Sequence, residues 1–457
     1  MLSEIRGGKT IMSSQSSVIY QLDGKPRLKE AVPLGLQHIL AMFVGNVTPL
    51  IIIANTLNMS LGDKTALVQC AMFVSGVATL IQCYKVGPFG ARLPIVMGTS
   101  FGFLPVATSI GLKYGYETIL GACLIGGLVE VILGKGMKKL RKFFPPVVSG
   151  SVVLAMGISL IPTGMKYFAG GEGAKDFGSF ENLILGTIVL LTVLFFNQYT
   201  KGIVSLASIL IGLLVGYIVA IPMGKIDFSQ LSTIQMISIP TPFKFGLEFK
   251  IDAIIAMVCM YLVSSVETVG HITAIAYDGV GRDASDKEIS GGIMADGLGS
   301  MIGSIFSILP NTSFGQNVGL IALTKVVNRN VIAIGAGFLI LAGVFPQLGA
   351  LISLMPSSVL GGASIMMFAM IAVSGIKLIT SEPLSNRNST IVALSIGLGI
   401  GLSSVPGVLV NMPEPIQLIF GDSGLVLVAI MAVILNIILP KEDEETQVNE
   451  GSEVIAS

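Results

Sequence analysis

The sequence predicts an all-α polytopic membrane protein with about fourteen transmembrane spans, and three observations lead there. Its 457 residues are 52% hydrophobic and 12% charged, where soluble domains carry about 25% charged residues. Mean hydropathy is +0.84. Long stretches hold no charge at all, Asn330 to Ile376 being the longest. The 55 glycines of so apolar a chain fit close helix packing and interrupted helices inside a bilayer. An ordinary soluble enzyme, a secreted disulfide scaffold and a disordered chain are excluded together. Twenty-seven basic and 27 acidic residues cancel, so nothing draws the chain to nucleic acid.

Residues 1–33 form a polar, basic tail with Arg6, Lys9, Lys25, Arg27 and Lys29. It lacks the short apolar core and small-residue cleavage site of a signal peptide. A crossing helix needs about 20 largely apolar residues. Between Leu34 and Gly62 only His38 is ionisable near neutral pH, which makes this the first span. Thr65–Tyr84 and Leu93–Leu112 are the next uncharged runs, followed by a segment near 116–134. Phe143–Met165, 182–199 and Gly202–Gly224 continue the series. After a connection interrupted by Pro222, Pro240 and Pro242 come 252–277, 288–309 and 311–327. Asn330–Ile376 should be two spans turning near Met355-Pro356. Segments 388–411 and 416–439 complete the set, and 441–457 is an acidic tail.

Lysine and arginine in short loops set orientation. The basic N-terminus and the cluster Lys135, Lys138, Lys139, Arg141 and Lys142 are separated by four spans and should share the cytoplasmic side. Lys325 with Arg329, and Lys377 with Arg387, fall on that side too. Both termini are then cytoplasmic. Cys70, Cys83, Cys123 and Cys259 lie in apolar stretches without a CxxC pair, so they read as small buried hydrophobes. Gly421-Asp422-Ser423-Gly424 resembles a serine-protease fragment, but only two histidines occur in the chain and it reads as a turn.

Thr99-Ser100-Phe101-Gly102 recurs as Thr312-Ser313-Phe314-Gly315, 213 residues later. Pro145-Pro146-Val147-Val148-Ser149-Gly150 is echoed by Pro356-Ser357-Ser358-Val359-Leu360-Gly361 at an offset of 211. Two echoes in one order at nearly one offset indicate a duplicated repeat. With seven spans in each half, the second copy enters from the opposite side, giving a 7+7 inverted repeat. Transporters built this way hold substrate near the midplane, between interrupted helices. Both Thr-Ser-Phe-Gly elements sit among prolines and glycines, so unwound backbone is expected in spans 3 and 10.

An ionisable residue inside a span is a functional hypothesis by default. Glu267 and His271, four apart, share one helix face. Together they could bind a polar ligand, pass a proton or neutralise one another. Asp296 lies in the next span, where it could brace a neighbouring broken helix. His38 is open to a structural hydrogen bond or to ligand contact. Glu130 reads as structural, and Lys325 as an interfacial or gating residue. Glu267, His271 and Asp296 form no HExxH-like pattern, so no metal is expected.

The stretch Gln316-Asn317-Val318-Gly319-Leu320-Ile321-Ala322-Leu323-Thr324-Lys325 matches the signature Q-N-x-G-x-x-x-x-T-[R/K/G]. In this the chain resembles the nucleobase–ascorbate transporters, or nucleobase–cation symporter-2 family. Glu267-Thr268-Val269-Gly270-His271, Gly35-Leu36-Gln37-His38 and Arg92-Leu93-Pro94 extend the resemblance over roughly residues 34 to 440. It implies two inverted seven-span repeats, with spans 1–4 and 8–11 as a core and the others as a gate. The core would be 34–142 and 251–354, and the gate 143–250 and 355–440. Substrate would lie between short strands in spans 3 and 10 and span 8. Glu267 would hydrogen-bond a purine, Gln316 would contact it from the opposite side, Phe101 would offer a backbone amide and Phe314 an aromatic face, beside Ser100. Asn317, Asp296, His271 and His38 would hold the geometry or couple protons, and Gly319, Thr324 and Lys325 would serve gating.

The chemistry suits a purine dione, whose N–H and C=O groups a glutamate and a glutamine amide can meet while an aromatic ring covers the face. Gln316 resembles the xanthine and urate branch, whereas His271 resembles the uracil branch. The expected activity is proton-coupled uptake of xanthine or urate by a homodimer in the plasma membrane, without cofactors. A uracil carrier and an anion exchanger or channel on the same architecture are the alternatives.

Overall fold

The computed structural model describes residues 18–140, 143–405, 407–421 and 424–440. Helices α1 (Leu28–Thr56) and α2 (Leu61–Tyr84) lead to strand β1 (Met97–Thr99), α3 (Leu104–Tyr114) and α4 (Tyr116–Leu140). Next come α5 (Pro146–Phe168), α6 (Phe180–Tyr199), α7 (Ile203–Leu206) and α8 (Ser208–Ala220). Helix α9 (Ile251–Ala274) runs into a π-helical turn, Ile275–Val280. It is followed by α10 (Asp286–Ile305), strand β2 (Asn311–Ser313), α11 (Gly315–Thr324), α12 (Arg329–Ala342) and α13 (Pro346–Ser353). The chain closes with α14 (Ser357–Ile379), α15 (Asn386–Ser404), α16 (Glu414–Phe420) and α17 (Leu425–Ile438).

Helix starts are written locally. Ser60, Ser179, Ser285, Asn328 and Ser385 each accept a backbone N–H of the first turn they precede, satisfying a donor the helix leaves free. At α10 the pair Ser285 and Glu288 closes a capping box. Pro105, Pro146 and Pro346 occupy the first two positions of α3, α5 and α13, where a missing N–H costs nothing.

Among the described residues, seven helices are long and apolar enough to cross a bilayer, or eight if α12 and α13 form one span bent by 82°. The expected segments near 93–112 and 311–327 do not pass because each is a strand followed by a short helix. The segment 202–224 is divided into α7 and α8, and 416–439 into α16 and α17. Met355 and Pro356 do separate α13 from α14, as expected. The bend at Gly343–Phe345 is an addition that hydropathy alone did not indicate. Within 421–424, Asp422 and Ser423 lie outside the described residues, as do the tails 1–17 and 441–457 and the basic pair Arg141 and Lys142.

Glycine permits the closest helix pairs. A Cβ on Gly127 of α4 would meet the carbonyl oxygen of Gly297 at 2.8 Å, and one on Gly297 would meet that of Gly127 at 2.5 Å. At the α5–α14 crossing, a Cβ on Gly361 would lie 2.0 Å from the Phe168 nitrogen. Such approach supplies the van der Waals contact that holds helices together where water exclusion cannot.

The two strands pair antiparallel, Met97 with Ser313, Gly98 with Thr312 and Thr99 with Asn311. A two-stranded sheet inside a membrane protein has two bare edges, and each unmet edge group would be costly. Side chains meet them here. Thr79 of α2 accepts from the Met97 N–H at 2.9 Å, and Asn46 of α1 accepts from the Thr99 N–H at 2.8 Å. On the other edge Ser300 of α10 accepts from the Asn311 N–H and donates to its carbonyl, both at 3.1 Å.

Residues Val18–Gly24 form a strap over the α11–α12 connection. The Ile19 carbonyl accepts from the N–H groups of Val327 and Asn328, and that of Leu22 from Arg329. Buried Asn328 caps α12 through the Asn330 N–H at 2.9 Å and donates its amide to the carbonyls of Val18 at 2.9 Å and Gly24 at 3.3 Å. Asn328→Ala loses the cap, worth about 1 kcal/mol, and two donated bonds of about the same size each. The expected result is a melting temperature several degrees lower for the detergent-solubilised protein. Asn328→Asp, which keeps the cap, should melt between the two.

Candidate functional site

A cavity of about 270 Å³ opens where β1 and β2 meet α9 and α11. It sits near the lower end of the about 300–1,000 Å³ typical of small-molecule sites. Ser100, Phe101, Glu267, His271, Phe314, Gln316 and Gly319 all line it. The opposite wall comes from α5, α6, α8 and α14, through Met156, Asn197, Ser208, Met366, Met370 and Lys377.

Local structure explains this convergence. Each Thr-Ser-Phe-Gly element ends a strand and leads into a short helix, so α3 and α11 both begin beside the cavity. Helix N-termini carry unpaired N–H groups and partial positive charge, which suits carbonyl oxygens or anions. The Phe101 N–H has no protein acceptor among the described residues. Its ring packs edge-on against Phe368 of α14, with centroids 5.0 Å apart. The Gln316 side chain opens into the cavity from the first turn of α11.

Glu267 faces the cavity from α9, and its Oε2 is buried without a hydrogen-bond partner. His271, one turn on, does not pair with it. The imidazole Nδ1 instead lies 2.8 Å from Ser313 Oγ on β2. Of the three sequence readings of this pair, mutual neutralisation is therefore not the arrangement adopted. Glu267 is left with its acceptor capacity unspent.

Asp296, fully buried, stands behind the strands rather than in the cavity. It accepts from Gln82 Nε2 of α2 at 2.9 Å and from the Thr268 hydroxyl of α9. The Thr268 oxygen also lies 3.3 Å from Ser313 Oγ. One carboxylate thus ties α2, α9 and α10 to β2. Asn317 turns away from the cavity as well. Its Nδ2 lies 3.1 Å from His38 Nδ1 and donates to the His38 carbonyl at 2.9 Å, fixing α11 to α1. The structural alternative for His38 is the one the geometry displays.

The end of the signature has its own logic. Thr324 Oγ1 bonds back to the Leu320 carbonyl at 2.8 Å. Lys325 ends α11 with φ of 59°, a left-handed conformation that glycine adopts without strain. That conformation accounts for glycine sharing this signature position with lysine and arginine. The Lys325 ammonium donates to the Asp278 carbonyl at 2.5 Å, joining the ends of α11 and the π-helical turn. Gly319 lines the cavity, and a Cβ there would meet nothing within 4 Å. A larger residue would take up ligand space.

Sequence reasoning missed two glycines. A Cβ on Gly45 of α1 would lie 2.6 Å from Phe314 Cε1, and one on Gly98 of β1 would lie 2.5 Å from Phe314 Cε2. The ring sits in a slot whose width depends on both. Gln82, Asn46 and Ser75 were missed too, and Thr268 stood out only as part of the Glu267–His271 stretch. Asn46 Oδ1 accepts from Ser75 Oγ at 2.8 Å and Thr99 Oγ1 at 3.0 Å. Glu130 lies off the cavity, buried between α4 and α9, where it accepts from Ser265 Oγ at 3.1 Å.

A model of the permease family Xan_ur_permease matches residues 29–408. The uric acid permease PucK of Bacillus subtilis (strain 168) is 39% identical over 405 residues, 88% of this chain and 94% of PucK. The xanthine permease XanQ of Escherichia coli (strain K12) is 36% identical over 440 residues, 93% of this chain and 94% of XanQ. Among solved structures, murine Slc26a9, an anion transporter in the inward-facing state, superposes with a TM-score of 0.59 at 13% identity. That match covers 96% of this chain and 73% of Slc26a9, and at such identity it bears on the fold alone. The family shown is the one to which the Gln316–Lys325 signature pointed: the chain belongs to the Xan_ur_permease family, multi-pass membrane transporters rather than enzymes.

Proposed function

We propose that the protein is a proton-coupled symporter of xanthine or urate, working by alternating access across the plasma membrane. The observation that carries this reading is Glu267, which lines the same cavity as Gln316 and has a buried oxygen without a hydrogen-bond partner. A purine dione offers N–H groups to the first and a matched donor–acceptor edge to the second, and Phe314 can cover its face. A wrong base would leave one of these groups unpaired. The relatives named for uric acid and xanthine support the same substrate class.

In this reading the chain has fourteen spans in two inverted repeats and works as a homodimer with both termini cytoplasmic. Support comes from a similar polar arrangement around the strand in each half. Asn46 on α1 bonds Thr99 of β1 and Ser75 on the next helix. Thr268 on α9 likewise reaches β2 and Asp296 on the next helix. Residues 34–142 and 251–354 then form the core, and 143–250 and 355–440 the gate, with substrate between them. In this reading Asp296, which bridges three core helices, couples a proton to that site.

Uptake of labelled xanthine, urate and uracil in cells lacking their own carriers tests the substrate class. Concentrative uptake of xanthine or urate, uncompeted by uracil, is expected. Competition by uracil would favour the uracil reading suggested by His271, and unsaturable purine-independent currents would favour a channel. Coupling makes a separate prediction. A protonophore should collapse accumulation to equilibrium while binding to purified protein stays unchanged, and accumulation that follows sodium instead would reject the proton.

A further inference from the structure

Helix α14 turns Met366, Met370, Ser374 and Lys377 toward the cavity, at spacings of four, four and three. These spacings place them on one helical face. The face changes along its length: two polarizable methionines lie first, then a hydroxyl, then an exposed ammonium. Apart from the histidine bonded to Ser313, the titratable side chains lining the cavity are Glu267 on α9 and Lys377 on α14. No ion pair joins Lys377 to any carboxylate among the described residues. Asn197 of α6 and Ser205 of α7, which line the same cavity, are uncharged.

This arrangement has an electrostatic consequence. Glu267 is the acceptor that a purine N–H needs, but as a carboxylate it repels a base that has itself lost a proton. An ionised base enters more favourably where a nearby cation offsets that repulsion. An exposed ammonium lining a cleft whose walls are mainly apolar projects its field into that cleft, where water screens it less than on open surface. We propose that Lys377 is a specificity-determining residue, drawing anionic purines into the cavity and setting the preference for ionised over neutral bases. The inference rests on the purine reading and assigns a part to a residue that the signature does not contain.

The test is binding to the purified full-length protein in lipid nanodiscs, at neutral pH and two salt concentrations. Urate serves as an anionic ligand and hypoxanthine as a neutral purine. In Lys377→Gln the ratio of urate to hypoxanthine affinity should fall about tenfold, within the range by which clefts concentrate charged ligands. The salt dependence of urate binding should flatten as well. Lys377→Arg should restore both the ratio and the salt dependence. An unchanged ratio in Lys377→Gln, whatever happens to absolute affinity, would overturn the proposal. If the unmodified protein bound neither ligand, the purine reading would fall with it; if it bound hypoxanthine and the ratio did not move, only the role of Lys377 would fall.

Discussion

Glu267→Gln should abolish accumulation of xanthine and urate while leaving the protein in the membrane. The carboxylate lines the cavity and has an oxygen that no protein group satisfies; in the proposed reading a ligand N–H is its partner. A hydrogen bond to a charged group contributes about 1.5–3 kcal/mol, which corresponds to roughly a 10- to 150-fold loss of affinity. The amide does worse than remove a charge. It can turn an N–H donor toward a ligand N–H, so one buried donor goes unmet. Uptake of labelled purine, normalised to membrane protein by immunoblot, is the measurement. Undiminished concentrative uptake would sink the assigned role.

Gly98→Ala should cost nearly as much, through a residue that never touches the ligand. Its new methyl group would stand 2.5 Å from one edge of the Phe314 ring, and 2.7 Å from Met42 Cε. A Cβ on Gly45 would lie 2.6 Å from the ring's other edge, so the α1 backbone flanks that side and the ring is expected to tilt toward the cavity. Overpacking of this kind costs about 1–3 kcal/mol, from several-fold to about a hundredfold if it falls on the binding-competent state. The expected result is a Kd for xanthine raised by that factor, with a melting temperature lowered by only a few degrees. Gly45→Ala should behave alike. If either variant bound xanthine normally, Phe314 would not be the face on which the base lies.

These two predictions differ in how legible their residues were. Glu267 announced itself, because a carboxylate within an apolar run is costly and has few uses. Gly98 is one of 55 glycines in the chain, and nothing local distinguishes a packing glycine from one that shapes a binding site. Asp296 lay between these extremes. Its presence in a span was plain, but its partners Gln82 and Thr268 are 214 and 28 residues away. Uncharged polar side chains hardly disturb a hydropathy profile, so their function as partners stayed hidden. The strand edges were equally silent, since Asn46, Thr79 and Ser300 come from three different helices.

By itself the sequence determined the membrane class, the places where two spans are interrupted and the family signature. All three are written in short stretches: apolar runs set by bilayer thickness, breakers around a repeated tetrapeptide, and fixed spacing along α11. Only the tertiary structure decided the strand register, the bend between α12 and α13, and the turning of His271 to Ser313 rather than to Glu267. It also separated the neighbours Gln316 and Asn317, sending one side chain to the cavity and the other to His38. The reason is common to all of these. Each depends on groups distant in the chain competing for the same buried hydrogen bonds and the same space, and that competition is settled only when the helices have packed.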